Sequence, residues 1–319
     1  MMGVLNHLST LLLLSLLPPA LSRVVNRFDP ECKEFFLEGT TPILPGILVG
    51  GKVQDQNRYK PIYQVFKYMM NKVVYNTYMF ATLYDTTNMI PVFSAYTFTG
   101  VGPREKRPDT WMIEPQLDGG IEPVMGLEKE GVIYTHQAVN QDYDEYGKDK
   151  KVNKGHMFSK AFAHQPVNQD STFTLTNAVP QVQSFNEGSW GKMDCEVRKI
   201  LLKQCLDNNG QPKAYVLTGA VPSVNNKLNN RVNIPDLLWT AYCCYNNKKK
   251  EWMAKAHWGV NQEETNKQVL NPHTLSELYN MLKQHYPGDG DVQVFPKQCP
   301  RGSSQKEREK SRDDNRMIK

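Results

Sequence analysis

The sequence has no Cys-x-x-Cys pair, no Gly-x-Ser-x-Gly turn and, beyond residue 22, no Asn-x-Ser/Thr triplet. The first absence argues against a zinc knuckle, the second against a serine hydrolase built on a nucleophile elbow, and the third against N-glycosylation. There is no internal repeat, and after the opening segment no apolar run approaches the roughly 20 residues that a membrane-spanning helix needs. Charge of one sign is also scarce. The formal net charge is +5, and the stretch 301–319 alone holds seven Lys or Arg against four Asp or Glu, so three of those five charges sit in the tail. Any polyanionic partner must therefore be recognised by local geometry rather than by the overall field of the chain.

What is present begins with a short apolar run, Leu11 to Leu17, stopped by Pro18-Pro19 and followed by Ala20 and Ser22. These small residues stand three and one positions before a cut ahead of Arg23, the pattern of a cleaved secretory leader over 1–22. The secretory route is oxidising, so Cys32, Cys195, Cys205, Cys243, Cys244 and Cys299 are candidates for disulfides, with fifteen connectivities open for three bridges. The tail 301–319 is charged, lacks aromatics and has no apolar periodicity, which predicts disorder. Between them, 23–300 reads as one domain, and 39% hydrophobic content is enough to build its core.

Local patterning predicts a mixture of strands and helices. Tyr75 to Tyr84 and Pro91 to Phe98 alternate around the turn Asp85-Thr86-Thr87-Asn88, which predicts an antiparallel hairpin. Further strands are expected over Gly131 to Thr135 and over Ala214 to Thr218, the second stopped by Gly219 and Pro222. Trp190, Met193, Val197, Ile200 and Leu201 recur at helical steps, predicting a helix from near Ser189 to just before Asn208-Asn209-Gly210. A second helix is expected from about Thr274 to Gln284. Without regular βαβ alternation, these elements indicate an α+β fold with an antiparallel sheet.

The most informative residues are Asn153-Lys154-Gly155-His156, followed by Thr174-Leu175-Thr176-Asn177-Ala178-Val179-Pro180-Gln181 and Ser184-Phe185-Asn186-Glu187-Gly188-Ser189-Trp190. Cutting a phosphodiester requires a base for water and positive charge for the phosphate, and a histidine with a sparsely ligated metal can supply both. These segments resemble the DNA/RNA non-specific endonuclease family of ββα-metal nucleases. The resemblance extends through Phe80 to Asp85, Ser94 to Phe98 and Leu238 to Cys244, so that it covers roughly Phe28 to Pro300. It implies a ββα-metal (His-Me finger) fold with a central antiparallel sheet flanked by helices.

The same resemblance assigns roles. It implies that His156 is the general base, although a histidine at a strand end can also serve only in hydrogen bonding. Asn186 is implied as the direct ligand of Mg²⁺ or a similar divalent cation such as Mn²⁺, and it could also cap the helix that follows. Asp194 would support the hydrated metal and Arg198 would assist at the phosphate; the alternative is a solvated i,i+4 pair on a helix face. Asn186, Trp190, Asp194 and Arg198 are spaced by four and would share one helical stripe. Asn177 is implied to stand near the base and metal, against a plain turn role. Arg104 or Arg107, ahead of Trp111, is a candidate phosphate contact, with a solvated cation as the alternative.

Two positions depart from the family's usual Asp-Arg-Gly-His. Asn153 lacks the carboxylate, and Lys154 replaces a guanidinium that can grip two phosphate oxygens with an ammonium that acts as a point charge. Lys154 remains a candidate for both catalysis and substrate binding. Asp194 is also one methylene shorter than the usual Glu. The implied activity is extracellular, metal-dependent hydrolysis of DNA and RNA with little sequence choice. The alternative is a secreted nuclease-fold protein that binds nucleic acid or another partner with weakened catalysis.

Overall fold

The computed structural model describes residues 23–28, 34–103, 106 and 108–302. The leader-like segment, Cys32, Arg104, Arg107 and residues 303–319 lie outside the described residues. The elements that position the site are β1 (Tyr59–Met70), β2 (Val73–Asp85), β3 (Ile90–Phe98), α1 (Asn140–Tyr146), β4 (Val152–His156), α2 (Pro166–Ser171), β5 (Ala178–Val182), α3 (Gly191–Gln204), β6 (Ala214–Val221), β7 (Leu237–Asn246), β8 (Glu251–Val260) and α4 (Leu275–Lys283). Six of the strands form one sheet in the order β8-β7-β6-β3-β2-β1, every pairing antiparallel. The expected α+β class with a central antiparallel sheet is therefore what the chain adopts.

Both faces of the sheet are covered, so its strands carry apolar residues on both sides. Phe80, Tyr96, Phe98, Val216, Leu238, Tyr242 and Cys244 face one core, which also takes Met193, Val197 and Leu201 of α3. Ala81, Leu83, Phe93, Ala95, Leu217, Trp239, Ala241 and Cys243 face the other, which takes Leu275, Leu278 and Leu282 of α4. Each of these α4 leucines is fully buried, contributing about 1.5–3 kcal/mol relative to exposure. Thr274 and Glu277 close a reciprocal cap at the start of α4.

Adjacent residues on a strand point to opposite faces, and Cys243-Cys244 on β7 use this. Cys244 bonds Cys205 just past the end of α3, and Cys243 bonds Cys299 on the other side of the sheet. Cys195 is not bridged among the described residues, so only two of the three bridges allowed by the cysteine count are found there.

Three expectations need correction. The segment Gly131 to Thr135 is not a strand: Val132 and Ile133 are exposed, and the following turn is held by Asp118, which accepts from the backbone N–H groups of Thr135 and His136. Without a partner strand, an apolar run of this length has no ladder to join. The strand at 214 is not stopped by Gly219; it continues to Val221, because a side chain at 219 would collide with Trp239, and glycine is what allows that ring to lie against the sheet. Finally, α3 proper starts at Gly191, after a wide π turn over Asn186–Trp190 closed by Gly191 N–H to the Asn186 carbonyl. The inserted residue breaks the uniform four-residue stripe expected from Asn186 onward.

Candidate active site

The β4-β5 hairpin lies on the α3 side of the sheet and pairs antiparallel, with His156 opposite Ala178, Gly155 opposite Val179 and Asn153 opposite Gln181. With the turn and α3 that follow, it forms a ββα unit. The motif glycine has a steric cause: a Cβ at Gly155 would fall 2.3 Å from Gln181 Oε1. Any side chain there would push the two strands apart.

His156 ends β4, and the chain beyond it is clamped by Asn177. The Asn177 carbonyl accepts from Met157 N–H (2.9 Å) and its Oδ1 accepts from Phe158 N–H (2.9 Å) and from Ser94 Oγ (2.9 Å). Its Nδ2 donates to the carbonyls of Phe158 (3.1 Å) and Thr172 (3.0 Å). Asn177 is fully buried and its amide is satisfied by protein alone. Ser94 belongs to a row of buried hydroxyls across the sheet, Thr82 to Ser94 (3.1 Å) and Thr218 to Thr240 (3.0 Å). This row ties the loop behind His156 to the middle strands of the sheet.

The His156 ring is gripped by two aromatic rings, Trp111 with centroids 4.5 Å apart and Phe173 at 4.8 Å in an edge-on arrangement. It faces an open cleft of about 600 Å³ that is also lined by Ser159, Lys160, Arg198 and Lys199. Three cations beside an imidazole make this cleft suited to an anion. Arg198 reaches the Ala161 carbonyl at 3.4 Å, and Lys199 pairs with Glu196 at 2.7 Å. Asp194, one turn before Arg198, shares a hydrogen bond with the Ser159 side chain. Burial pushes its carboxyl up to about 7, opposed by that hydrogen bond and by the Arg198 charge.

Asn186 and Lys154 sit differently from the cleft residues. Asn186 Nδ2 donates to Asn153 Oδ1 at 2.8 Å, so the motif position that lacks a carboxylate touches the candidate metal ligand. Lys154 shares a strand face with His156, yet its ammonium pairs with Asp144 at 2.7 Å and lies 5.7 Å from the Tyr143 ring of α1. Neither Asn186 nor Lys154 lines the cleft that His156 faces. Ser159, Lys160, Asp144 and Phe173 had no signal in the sequence, because their roles arise only from chain segments meeting in space.

The donor set suits one kind of cation. No group of three or more His, Cys, Asp or Glu among the described residues could hold a metal by itself. With Nδ2 committed to Asn153, the remaining polar atom of the Asn186 side chain is a neutral, hard oxygen. A cation that keeps most of its water, as Mg²⁺ does, fits such a ligand, whereas zinc would need more protein donors.

The profile of the DNA/RNA non-specific endonuclease family matches residues 60–284. The human Endonuclease domain-containing 1 protein is 30% identical over 223 residues, covering 67% of this chain and 39% of that protein. The mouse protein of the same name is 30% identical over 224 residues, with 67% and 38% covered. This chain thus spans about two fifths of the length of the curated relatives it matches. Among solved structures, one of the EndoG/EndoGI complex, describing the mechanism of EndoG inhibition, has 18% identity and a TM-score of 0.47, covering 64% of this chain and 81% of that one. With most of its length matched by the family profile, and with its histidine on the first strand of a ββα unit, the chain belongs to the DNA/RNA non-specific endonuclease family.

Proposed function

We propose that the protein is a secreted endonuclease that hydrolyses phosphodiester bonds of DNA and RNA in a divalent-metal-dependent way, with little sequence choice. The observation that carries this reading is the His156 ring, fixed by Trp111 and Phe173, facing a cleft lined by Lys160, Arg198 and Lys199. His156 takes the proton of the attacking water. Lys160, Arg198 and Lys199 offset the charge that grows on the phosphate, and the Asn177 clamp holds the strand end so that the imidazole does not drift. Asn186 is the residue that would hold Mg²⁺ or Mn²⁺, which when bound supplies Lewis-acid charge at the phosphate. Asp194 holds its position through Ser159 beside Arg198. The two disulfides are compatible with secretion, and no helix among the described residues is long and apolar enough to cross a membrane.

One observation favours a second reading, a nuclease-fold protein that binds nucleic acid or another partner with weakened turnover. Lys154 is held by Asp144 rather than offered to the cleft. Incubating the purified protein with plasmid DNA and with RNA, with Mg²⁺ or with EDTA, separates the two. We expect cleavage that EDTA abolishes, a loss of about 10²–10⁴ in rate for His156→Gln, and a higher Mg²⁺ requirement for Asn186→Ala. Binding of nucleic acid without metal-dependent cleavage would establish the second reading. Unchanged cleavage by pure His156→Gln would remove His156 as the base.

A further inference from the structure

One buried carboxyl outside the lining of the cleft has no hydrogen-bond partner among the described residues. Glu114 is 0% exposed, and among the described residues neither of its carboxyl oxygens meets a donor. An unpaired carboxyl in such a place is costly whether it is charged or neutral, since the neutral form still leaves polar atoms unsatisfied. Burial pushes this carboxyl up to about 8, and the one opposing charge is that of Arg23.

Arg23 is held just as firmly. It is 4% exposed, its guanidinium lies 4.7 Å over the Tyr78 ring, and its Nε is buried without a partner among the described residues. Its backbone carbonyl accepts from Tyr63 N–H at 2.9 Å, and Val25 N–H donates to the Pro61 carbonyl at 2.9 Å, so residues 23–25 lie as a short extra strand along the free edge of β1. The Arg23 backbone nitrogen donates to Gln116 Oε1 at 2.8 Å. Gln116 stands two residues after Glu114, at the start of the 3₁₀ turn Pro115–Asp118. The nitrogen of residue 23 is thus part-buried and hydrogen-bonded to Gln116, on the segment that carries the orphan carboxyl.

We propose that Glu114 is a socket for the chain's own amino terminus: hydrolysis of the Ser22–Arg23 bond frees an α-ammonium at Arg23 that, with the adjacent guanidinium, pairs with the buried Glu114 carboxylate. Water supplies the hydroxyl that leaves on the Ser22 carboxyl and the hydrogen that leaves on the amine, and the amine then takes up a proton. A peptide N–H has one donor, which Gln116 already occupies; an ammonium has three, so two donors are gained. The leader cut ahead of Arg23 is an expectation from the sequence, and the socket depends on it but not on the nuclease reading.

The socket lies in line with the active site. Trp111, which grips His156, is three residues before Glu114, and between them Met112 N–H donates to the Phe173 carbonyl (2.8 Å) while Leu175 N–H donates to the Met112 carbonyl (2.8 Å). Locking Glu114 therefore secures the segment that supplies one wall of the imidazole pocket. A chain that still carries its leader lacks this lock.

The test needs no nuclease assay. The mass of protein secreted with its own leader should show Arg23 as the first residue; any other start overturns the proposal. The full chain is then prepared from cleavable tags that leave either Arg23 or Ser22 first, each with Glu114 or with Glu114→Gln. Breaking a buried pair in a domain of this size lowers the melting temperature by roughly 5–10 °C. We expect the Ser22-first protein to melt lower by that amount, and the gap to close in the Glu114→Gln pair. A gap that persists in Glu114→Gln would mean only that the extra residue does not fit, and the absence of a gap would mean that the ammonium has no partner; either result overturns the socket. A measurement on the unmutated protein guards against a variant that fails to fold. At neutral pH the α-amine of the Arg23-first protein should react with an acylating reagent at least about tenfold more slowly than in the urea-unfolded chain, and equal rates would refute burial of the pair.

Discussion

Replacing Asp194 by Asn should make the protein more stable at pH 8 and a poorer catalyst. Burial raises the Asp194 carboxyl from its ordinary 3.8 to about 7, in spite of the Ser159 hydrogen bond and the Arg198 charge that oppose the rise. An acid whose folded pKa lies above its unfolded value holds its proton more tightly when folded. Its contribution to stability is complete below about pH 3.8 and is lost as the pH climbs through about 7. Some three pKa units at about 1.4 kcal/mol each give about 4 kcal/mol as the full cost of the ionised group, an upper bound because the residue is only partly buried by area. About 2–3 kcal/mol of this falls between pH 5 and pH 8. Asn has the same shape and no charge, so it escapes the cost. At roughly 2–4 °C per kcal/mol for a chain of this size, the variant should gain about 4–10 °C on the wild type between the two pH values. Thermal melts of both proteins in EDTA at pH 5 and pH 8 measure this difference of differences, which cancels other titrating groups such as Glu114. If the gap between variant and wild type is the same at both pH values, the carboxyl is not desolvated and the reasoning fails.

Two more expectations follow from the site and its staples. Asn153→Asp with Lys154→Arg should raise turnover, because a carboxylate strengthens the bond already accepted from Asn186 and a guanidinium can hold Asp144 while presenting a second face to phosphate; cleavage rates no faster than the parent's would show that the site has adapted to Asn and Lys. The bridges close separations of 39 and 56 residues, worth roughly 4 kcal/mol each by chain entropy, so Cys299→Ala should lower the melting temperature by about 10 °C, and a shift under about 2 °C would contradict that assignment.

How far the sequence anticipated the fold depended on whether the signal was local. The β2-β3 hairpin was readable because alternation and a polar turn sit side by side, and α4 because Leu275, Leu278, Met281 and Leu282 recur on one face. The β4-β5 hairpin gives no periodic signal: Asn153, Lys154 and Gly155 do not look like a strand, and only the motif marked them. The π turn before α3 was invisible because the extra residue is absorbed where Gly188 leaves helical geometry. Val132 and Ile133 suggested a strand by composition alone, and composition cannot supply a neighbour to pair with. In the site, His156 and Arg198 do meet in one cleft, while Lys154 is turned aside by Asp144, a residue ten positions away with no motif of its own. The Arg104 and Arg107 expectations lie outside the described residues.

The adjacent cysteines of β7 also act as a register check during oxidative folding. A slip of one residue along β7 would exchange the faces to which Cys243 and Cys244 point, leaving each thiol across the sheet from its native partner. Cys205 and Cys299 would then each face the wrong one of the two thiols, and neither native bridge could close. Covalent capture thus selects the alignment in which Trp239 enters one core and Tyr242 the other. A misaligned sheet closes neither native bridge, while the aligned one is fixed on both sides by bonds that begin at two consecutive residues.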